Sequence, residues 1–357
     1  MTTITDVAKA ANVSKKTVSR VINDHPDVAE STRHHVQQVI AELGYQPSML
    51  ARGLAQGKAN SVGVIIDQSA EEVFSYPLYS DNLRGISRVL SAHNIDMLVH
   101  FTRDAVPYTD LYRQRRVDGF ILMSMPMNDP QLEALIASGA PCVFTQRIAD
   151  NGTPVAWVDV DFEGGAIAAL DHLFELGHRR IGLVTSPPNK IYAYLLLRGY
   201  RTAYERHGLA IPDAFVLHTP AYTGPDPDRI AALLAQPDPP TAFACSDDLM
   251  AIRLVQLLQQ MGYDVPGDIS VIGSDDALLA QFFTPPLTTI RQDALRKGSM
   301  AAEILLRQLH GEAIPGQPEQ QLLPTHLTVR GTTGPMRPAD ERRTARQSER
   351  TLRQSRP

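Results

Sequence analysis

The sequence is poor in cysteine, in long apolar runs and in the motifs that hold nucleotides or metals. Its 357 residues include two cysteines, Cys142 and Cys245. Each lies in an apolar strand-like run, "APCVF" and "TAFACS", which suits reduced core thiols better than a disulfide or metal framework. No stretch approaches the ~20 unbroken apolar residues of a membrane span. "MTTITDVAKA" has neither the basic n-region nor the apolar h-region of a secretory signal, so the cytoplasm is the expected location and no membrane partner is expected. No GxxxxGK[ST] loop, GxGxxG fingerprint or HExxH helix occurs, and the eleven histidines form no cluster at metal spacing. No cofactor or resident metal is therefore expected. Nor is catalysis: nothing in the sequence marks Asp247 or Asp275 for a raised pKa or spaces them across a scissile bond.

The hydrophobic content of 43% is ample for a buried core, and the length implies two or three packed units. A net charge of -5 conceals an uneven distribution. Lys and Arg stand against Asp and Glu as 7 to 5 in residues 1–60, 20 to 31 in 61–330 and 7 to 3 in 331–357. Basic ends on an acidic middle allow a terminal domain to meet a polyanion that the bulk would repel.

In the first sixty residues, Thr5 or Asp6 is placed to cap a first helix with Val7, Ala8 and Ala11 on its small apolar face. "ANV" turns the chain, and Ser14 is placed to cap a second helix. At about 100° per residue, Lys15, Lys16, Ser19 and Arg20 share one ~140° sector, opposite Thr17, Val18, Val21 and Ile22. A third helix is expected from about Ser31, with Val36, Val39, Ile40 and Leu43 at i, i+3, i+4, i+7 spacing and Gly44 as its stop. Three helices around a tiny core form a helix-turn-helix head. Three cations on a surface helix are ordinarily just solvated. Here the turn, the caps and the third helix together favour a helix that donates to base edges and phosphates in a major groove.

The stretch "ITDVAKAANVSKKTVSRVIN...VAESTRHHVQQVIAELGYQPSMLARGLA" resembles the N-terminal domain of the lac repressor (LacI/GalR) family of bacterial transcription regulators. The similarity extends to about residue 330. It implies that Lys15 and Lys16 take the principal base-reading positions, that Arg20 is a third base contact, and that Thr5, Ser14, Asn23 and Thr32 make phosphate or groove contacts. "SMLARGLA", Ser48 to Ala55, is too short for a stable isolated helix and contains Gly53. By itself it reads as a flexible linker. The resemblance implies instead a hinge helix in the minor groove, with Leu54 wedged into the central base step.

From Ser61 the pattern changes to alternating strands and helices. "SVGVIID", "IDMLVHF", "VDGFILM" and "PCVFT" read as buried parallel strands, separated by helices near 80–93, 107–116 and 129–138. "RIGLVT", "AFVLH", "TAFACS" and "ISVIG" form a second series, with helices near 163–177, 191–207, 226–236 and 248–262. The fold class is an all-α head followed by two doubly wound parallel-sheet subdomains. The resemblance makes these of periplasmic-binding-protein type, with a ligand cleft between them. It returns the helix near 293–310 to the first subdomain and "QQLLPTHLTVR" to the second. The expected domains are a head at 1–47, a hinge at 48–59 and an effector-binding core at 60–330. Subdomain one takes about 60–160 and 291–321, subdomain two about 161–290 and 322–330.

Open parallel sheets bind ligands beyond the carboxyl ends of their strands. "AFACSDD" and "SVIGSDD" place Asp247 and Asp275 there, as acceptors for vicinal hydroxyls. Asp247 precedes the helix "LMAIRLVQLLQQMG", so it serves equally well as that helix's cap. Asp275 also matches the family's regular effector contact. Asp67, Ser124, Gln146, Arg147, Tyr192 and Tyr222 are further candidates from corresponding strand ends. Tyr79 in "YPLY" lies where the family commonly packs an aromatic on its ligand, although aromatics are equally ordinary core residues. Many relatives carry an arginine three residues before the glycine of "YLLLRGYR", where this chain has Leu196. Arg198 is about 200° further around the helix and cannot easily replace it. The clamp is thus absent or supplied from elsewhere, with Arg147 a candidate, and a neutral, partly apolar ring is favoured over a carboxylate-bearing ligand.

Residues 331–357 form a polar, basic tail expected to be disordered. Leu352 is its only leucine, so it lacks the leucine-rich seam with which some family members form tetramers, and a homodimer is expected. The expected function is that of a repressor of carbohydrate genes. It would bind a pseudo-palindromic duplex operator under the control of a small sugar-like effector, with the sign of that control open.

Overall fold

The computed structural model describes residues 2–22, 24–45, 58–101, 107–126, 129–148, 154–220, 224–314 and 316–338. The hinge segment Ser48–Ala55 with Leu54, the candidates Asn23 and Tyr222, and the tail from 339 onward lie outside the described residues. Two compact units make up the chain, a helical head and a larger α/β core beginning at Ser61.

In the head, α1 spans Ile4–Ala10 and is capped by Thr3, not by Thr5 or Asp6. Thr3 Oγ accepts from the Asp6 N–H, and the Asp6 carboxylate accepts from the Thr3 N–H at 2.9 Å, so the cap lies two or three residues earlier than the apolar pattern suggests. Asn12 takes the left-handed turn conformation at φ 50°, which asparagine tolerates. α2 (Lys15–Ile22) starts after Ser14, whose Oγ accepts from the Thr17 N–H at 3.1 Å. α3 (Glu30–Glu42) has no side-chain cap at its start. Arg33 on α3 instead pairs with Asp24 and donates to the His25 carbonyl at 2.8 Å, fastening the preceding loop. Val7, Ala8, Ala11, Val18, Val21, Val36 and Val39 are the buried core of the head. Leu43, expected as the last member of the α3 stripe, is 38% exposed because the helix ends at Glu42 and Gly44 turns left-handed.

The core holds two six-stranded sheets. The first contains β1 (Ser61–Ile66), β2 (Asp96–Phe101), β3 (Gly119–Met123), β4 (Cys142–Phe144), β5 (Ala156–Val160) and β11 (Gln320–Leu323), in the order β11-β5-β4-β3-β1-β2. The second contains β6 (Ile181–Thr185), β7 (Val216–His218), β8 (Ala242–Cys245), β9 (Ser270–Asp275), β10 (Thr288–Arg291) and β12 (His326–Thr328), in the order β12-β10-β9-β8-β6-β7. All neighbours are parallel except β10 and β12. β5 escapes the apolar-run reading because its inward Asp159, fully buried, interrupts the pattern. "QQLLPTHLTVR" divides: Gln320–Leu323 pairs with β5 in the first sheet, and only His326–Thr328 joins the second.

The chain passes between sheets after Val160, after Arg291 and after Leu323. Within the first lobe, helix Pro77–Ala92 packs against helix Ala294–Leu309 at backbone distance. A Cβ on Gly85 would meet the Leu295 carbonyl at 2.1 Å, and one on Gly298 would meet the Asn82 carbonyl at 2.1 Å. That reciprocal approach brings Asn82 and Lys297 to the rim of a single cleft.

Candidate functional site

Two surfaces have the chemistry of recognition sites. On the head, Ser14, Lys15 and Lys16 are exposed while Thr5, Ser19, Arg20 and Thr32 are half-exposed. Val18 and Val21 are buried on the opposite side of α2. No acidic residue occupies the first turn of α2, so nothing on that turn neutralises its cations.

In the core, a cleft of about 710 Å³, counting its open mouth, lies beyond the carboxyl ends of both sheets. From the first sheet come Met123 and Ser124 at the end of β3, Thr145 and Gln146 after β4, and Asp159 in β5. From the second come Ser246 and Asp247 after β8, and Asp275 at the end of β9. Gln292, Asn82 and Lys297 complete the polar lining, and Tyr76, Tyr79, Phe162 and Tyr192 supply aromatic faces. Among the described residues no group of three or more His, Cys, Asp or Glu is arranged to hold a metal ion.

Asp275 is the most constrained of these groups. Its φ of 127° and the 57° of Asp276 lie where L-residues are rarely found, a strain of the kind that concentrates at functional sites. Oδ1 accepts from Gln292 Nε2, whereas Oδ2 is buried without a partner. Burial pushes its pKa well above the ordinary 3.8, opposed by the Lys297 charge and the Gln292 hydrogen bond. Asp247 performs its capping role, Oδ1 accepting from the Met250 N–H at 2.7 Å at the start of helix Asp248–Gln260, and it also lines the cleft. Burial raises its pKa as well, against the Met250 and Ser246 hydrogen bonds. The sequence carries no sign of either shift, since both arise from tertiary enclosure.

Six of the sequence-derived candidates meet in the cleft: Tyr79, Ser124, Gln146, Tyr192, Asp247 and Asp275. The Tyr79 hydroxyl is 3.0 Å from Ser124 Oγ, Gln146 Nε2 donates to the Met125 carbonyl at 2.7 Å, and the Tyr192 hydroxyl donates to Ser186 Oγ at 2.7 Å. The Tyr192 ring lies 6.0 Å from that of Phe162. Asp67 and Arg147 do not line it. Asp67 forms an ion pair with Lys190 at 2.9 Å, and Lys190 also reaches the Ser124 carbonyl at 3.4 Å, so that pair joins the two lobes. Arg147 is held by buried Asp159 through Nε at 3.2 Å and its backbone N–H at 3.0 Å. Leu196 is buried over a separate apolar cavity with Leu183, Tyr200, Ala244 and Ile272, and Arg198 is paired with Glu163 at 3.2 Å. Arg198 is thus turned to Glu163, whereas Arg147 lies outside the cleft lining with its Nη2 buried and unpartnered.

Sequence reading missed Asn82, Asp159, Gln292 and Lys297. Lys297 did leave a signal. It interrupts the buried stripe of Ala294, Gly298, Ala301 and Leu305, where a charge is out of place.

The family described as "Bacterial regulatory proteins, lacI family" matches residues 3–48, and "Periplasmic binding protein-like domain" matches residues 170–333. The ribose operon repressor of Escherichia coli K12 is 34% identical over 314 residues, covering 87% of this chain and 93% of that protein. The structure of the lac repressor dimer bound to operator and the anti-inducer ONPF superposes with a TM-score of 0.80 at 29% identity, over 93% of this chain and 99% of that one. A complex of the transcriptional regulator CelR with cellobiose gives a TM-score of 0.69 at 30% identity, over 93% of this chain and 100% of that one.

Proposed function

Because the chain belongs to the LacI family of bacterial regulatory proteins, we propose that it is a homodimeric repressor of carbohydrate-utilisation genes whose hold on operator DNA is set by a small sugar in the core cleft. The observation that carries this reading is the cleft itself. Strand ends of both sheets bring buried carboxylates and aromatic faces to one cavity, the combination that suits hydroxyls and the apolar face of a sugar ring. The cellobiose bound to CelR and the ribose named in the E. coli relative support a sugar as the ligand class.

Each subunit reads one half-site with Lys15, Lys16 and Arg20 of α2. Thr5, Ser14, Asn23 and Thr32 contact phosphate or groove, and Leu54 enters the minor groove at the dyad. A second copy covers the apolar surface of helix Leu278–Phe282, where Leu278, Leu279 and Phe282 are 64%, 50% and 76% exposed. Binding sugar between the lobes favours one lobe arrangement over another. The operator is held differently by the two, so occupancy of the cleft changes DNA affinity by the ligand's differential affinity for them.

A thermal-shift screen of mono- and disaccharides on the full chain, followed by operator binding with each hit, tests the reading. A sugar that raises the Tm, is recovered chemically unchanged and alters operator affinity is the expected result. A hit that the protein hydrolyses, or hits without effect on DNA binding, would refute it.

A further inference from the structure

Lys297 is a buried cation with nothing to bind. It is 6% exposed and its side chain lines the cleft with Asp159 and Asp275. It makes no hydrogen bond and no ion pair within 4.0 Å among the described residues. Asp159 is already matched, Oδ2 by Arg147 and Oδ1 by the Val160 N–H at 2.8 Å. Asp275 is half matched, since Gln292 serves Oδ1 only. Removing an ammonium from bulk water without a fixed partner is costly, so a ligand that fills the cleft must bring it an acceptor.

The rest of the cleft defines the ligand's other half. Asp275 Oδ2, Gln292 Oε1 and Asn82 Oδ1 are buried acceptors without donors. The site therefore calls for several donated hydrogens and one oxygen that accepts from an ammonium. A carboxylate ligand offers acceptors alone; it would suit Lys297 but confront Asp275 and Asp247. A hydroxyl both accepts and donates. We propose that Lys297 is a specificity-determining binding residue, donating to one oxygen of a neutral polyhydroxyl ligand while hydroxyls of that ligand donate to Asp275, Gln292 and Asn82. This rests on the cleft being the effector site, and it assigns to Lys297 the cationic contact that Leu196 cannot make. Burial lowers the Lys297 pKa from its ordinary value, opposed by the charges of Asp159 and Asp275, which is the behaviour of an amine enclosed near carboxylates but not touching them.

Isothermal titration of the full chain and of Lys297→Met tests the assignment, with D-ribose, D-glucose, D-xylose and cellobiose as neutral probes and D-glucuronate as the carboxylate probe. Methionine has nearly the shape of lysine without its charge, so the Tm without sugar should hold or rise. If Lys297→Met does not fold, Lys297→Gln is titrated in its place. The tightest neutral sugar should lose about tenfold to a hundredfold in affinity, the worth of one charged hydrogen bond. Among monodeoxy derivatives of that sugar, one that weakens binding to wild type should cost the variant little, because the contact is already gone, while the others cost both proteins alike. Undiminished binding by the variant, equal losses with every deoxy derivative, or tighter binding of glucuronate than of glucose would overturn the proposal while leaving the effector reading intact. Failure of wild type to bind any probe would overturn both.

Discussion

The lysines of the head and the lysine of the cleft occupy opposite settings. Lys15 and Lys16 are exposed on α2, whereas Lys297 is enclosed by helix Ala294–Leu309 and the strand ends. An exposed ammonium gains little from any one partner but releases counterions when it meets a polyanion, so its contribution is steeply salt-dependent. An enclosed one is screened little by salt and depends on the geometry of a single acceptor. On the proposed function the same side chain would serve long-range attraction in one unit and short-range selection in the other, with burial deciding which.

The comparison breaks most visibly at Asp275. Asp275→Asn removes the carboxylate facing the cleft and should weaken sugar binding by about a hundredfold, consistent with a charged hydrogen bond of about 1.5–3 kcal/mol. Operator binding should then become insensitive to sugar, and an unchanged sugar response measured by fluorescence anisotropy would remove Asp275 from the site. Next in size is Lys16→Ala, which should lower discrimination between an inverted-repeat site and scrambled duplex by about 1–3 kcal/mol. Equal losses on both duplexes would reduce Lys16 to a phosphate contact. In parallel salt titrations wild-type operator affinity should fall steeply while sugar affinity stays level, and a matching decline would erase the distinction between the settings.

Gly298→Ala tests whether the cleft depends on the helix crossing behind it. Its Cβ would meet the Asn82 carbonyl, so a loss of about 1–3 kcal/mol is expected in urea unfolding, along with weaker sugar binding. An unshifted midpoint would contradict the close approach. The substitution with least effect at acid pH concerns Asp248, which accepts from Thr289 Oγ and from the Ala277 N–H at 2.8 Å. Burial raises its pKa from the ordinary 3.8 to about 8 despite these bonds. The folded chain therefore holds a proton through that window which the unfolded chain has lost, so stability declines as pH rises from about 4 to about 8. Asp248→Asn should flatten the decline and change stability near pH 4 by less than about 1 kcal/mol. A profile as steep as wild type's would contradict an enclosed, protonated Asp248.

Local chemistry accounts for what was legible in the sequence. The head follows from helical periodicity, with errors at the first cap, because Thr3 precedes the apolar pattern, and at Leu43, which lies past the end of α3. Strands with unbroken apolar runs could be read directly. β5 could not, since buried Asp159 is tolerable only with Arg147 folded over it, and no local pattern records that pairing. Asp247 and Asp275 were accessible because strand ends point to clefts. Asn82 and Lys297 reach the cleft from two helices brought together at Gly85 and Gly298, a long-range packing event. Asp67 illustrates the converse: its strand-end position was recognised, but Lys190 claims its carboxylate across the lobes.

Anisotropy titration of the full chain against an inverted-repeat duplex selected from random sequence, with and without the tightest-binding sugar, addresses the coupling between the two sites most directly. The selected site should bind at least about a thousandfold more tightly than scrambled duplex, and the sugar should shift that affinity in wild type but not in Asp275→Asn. Equal affinity for both duplexes, or an operator affinity untouched by saturating sugar, would contradict the account.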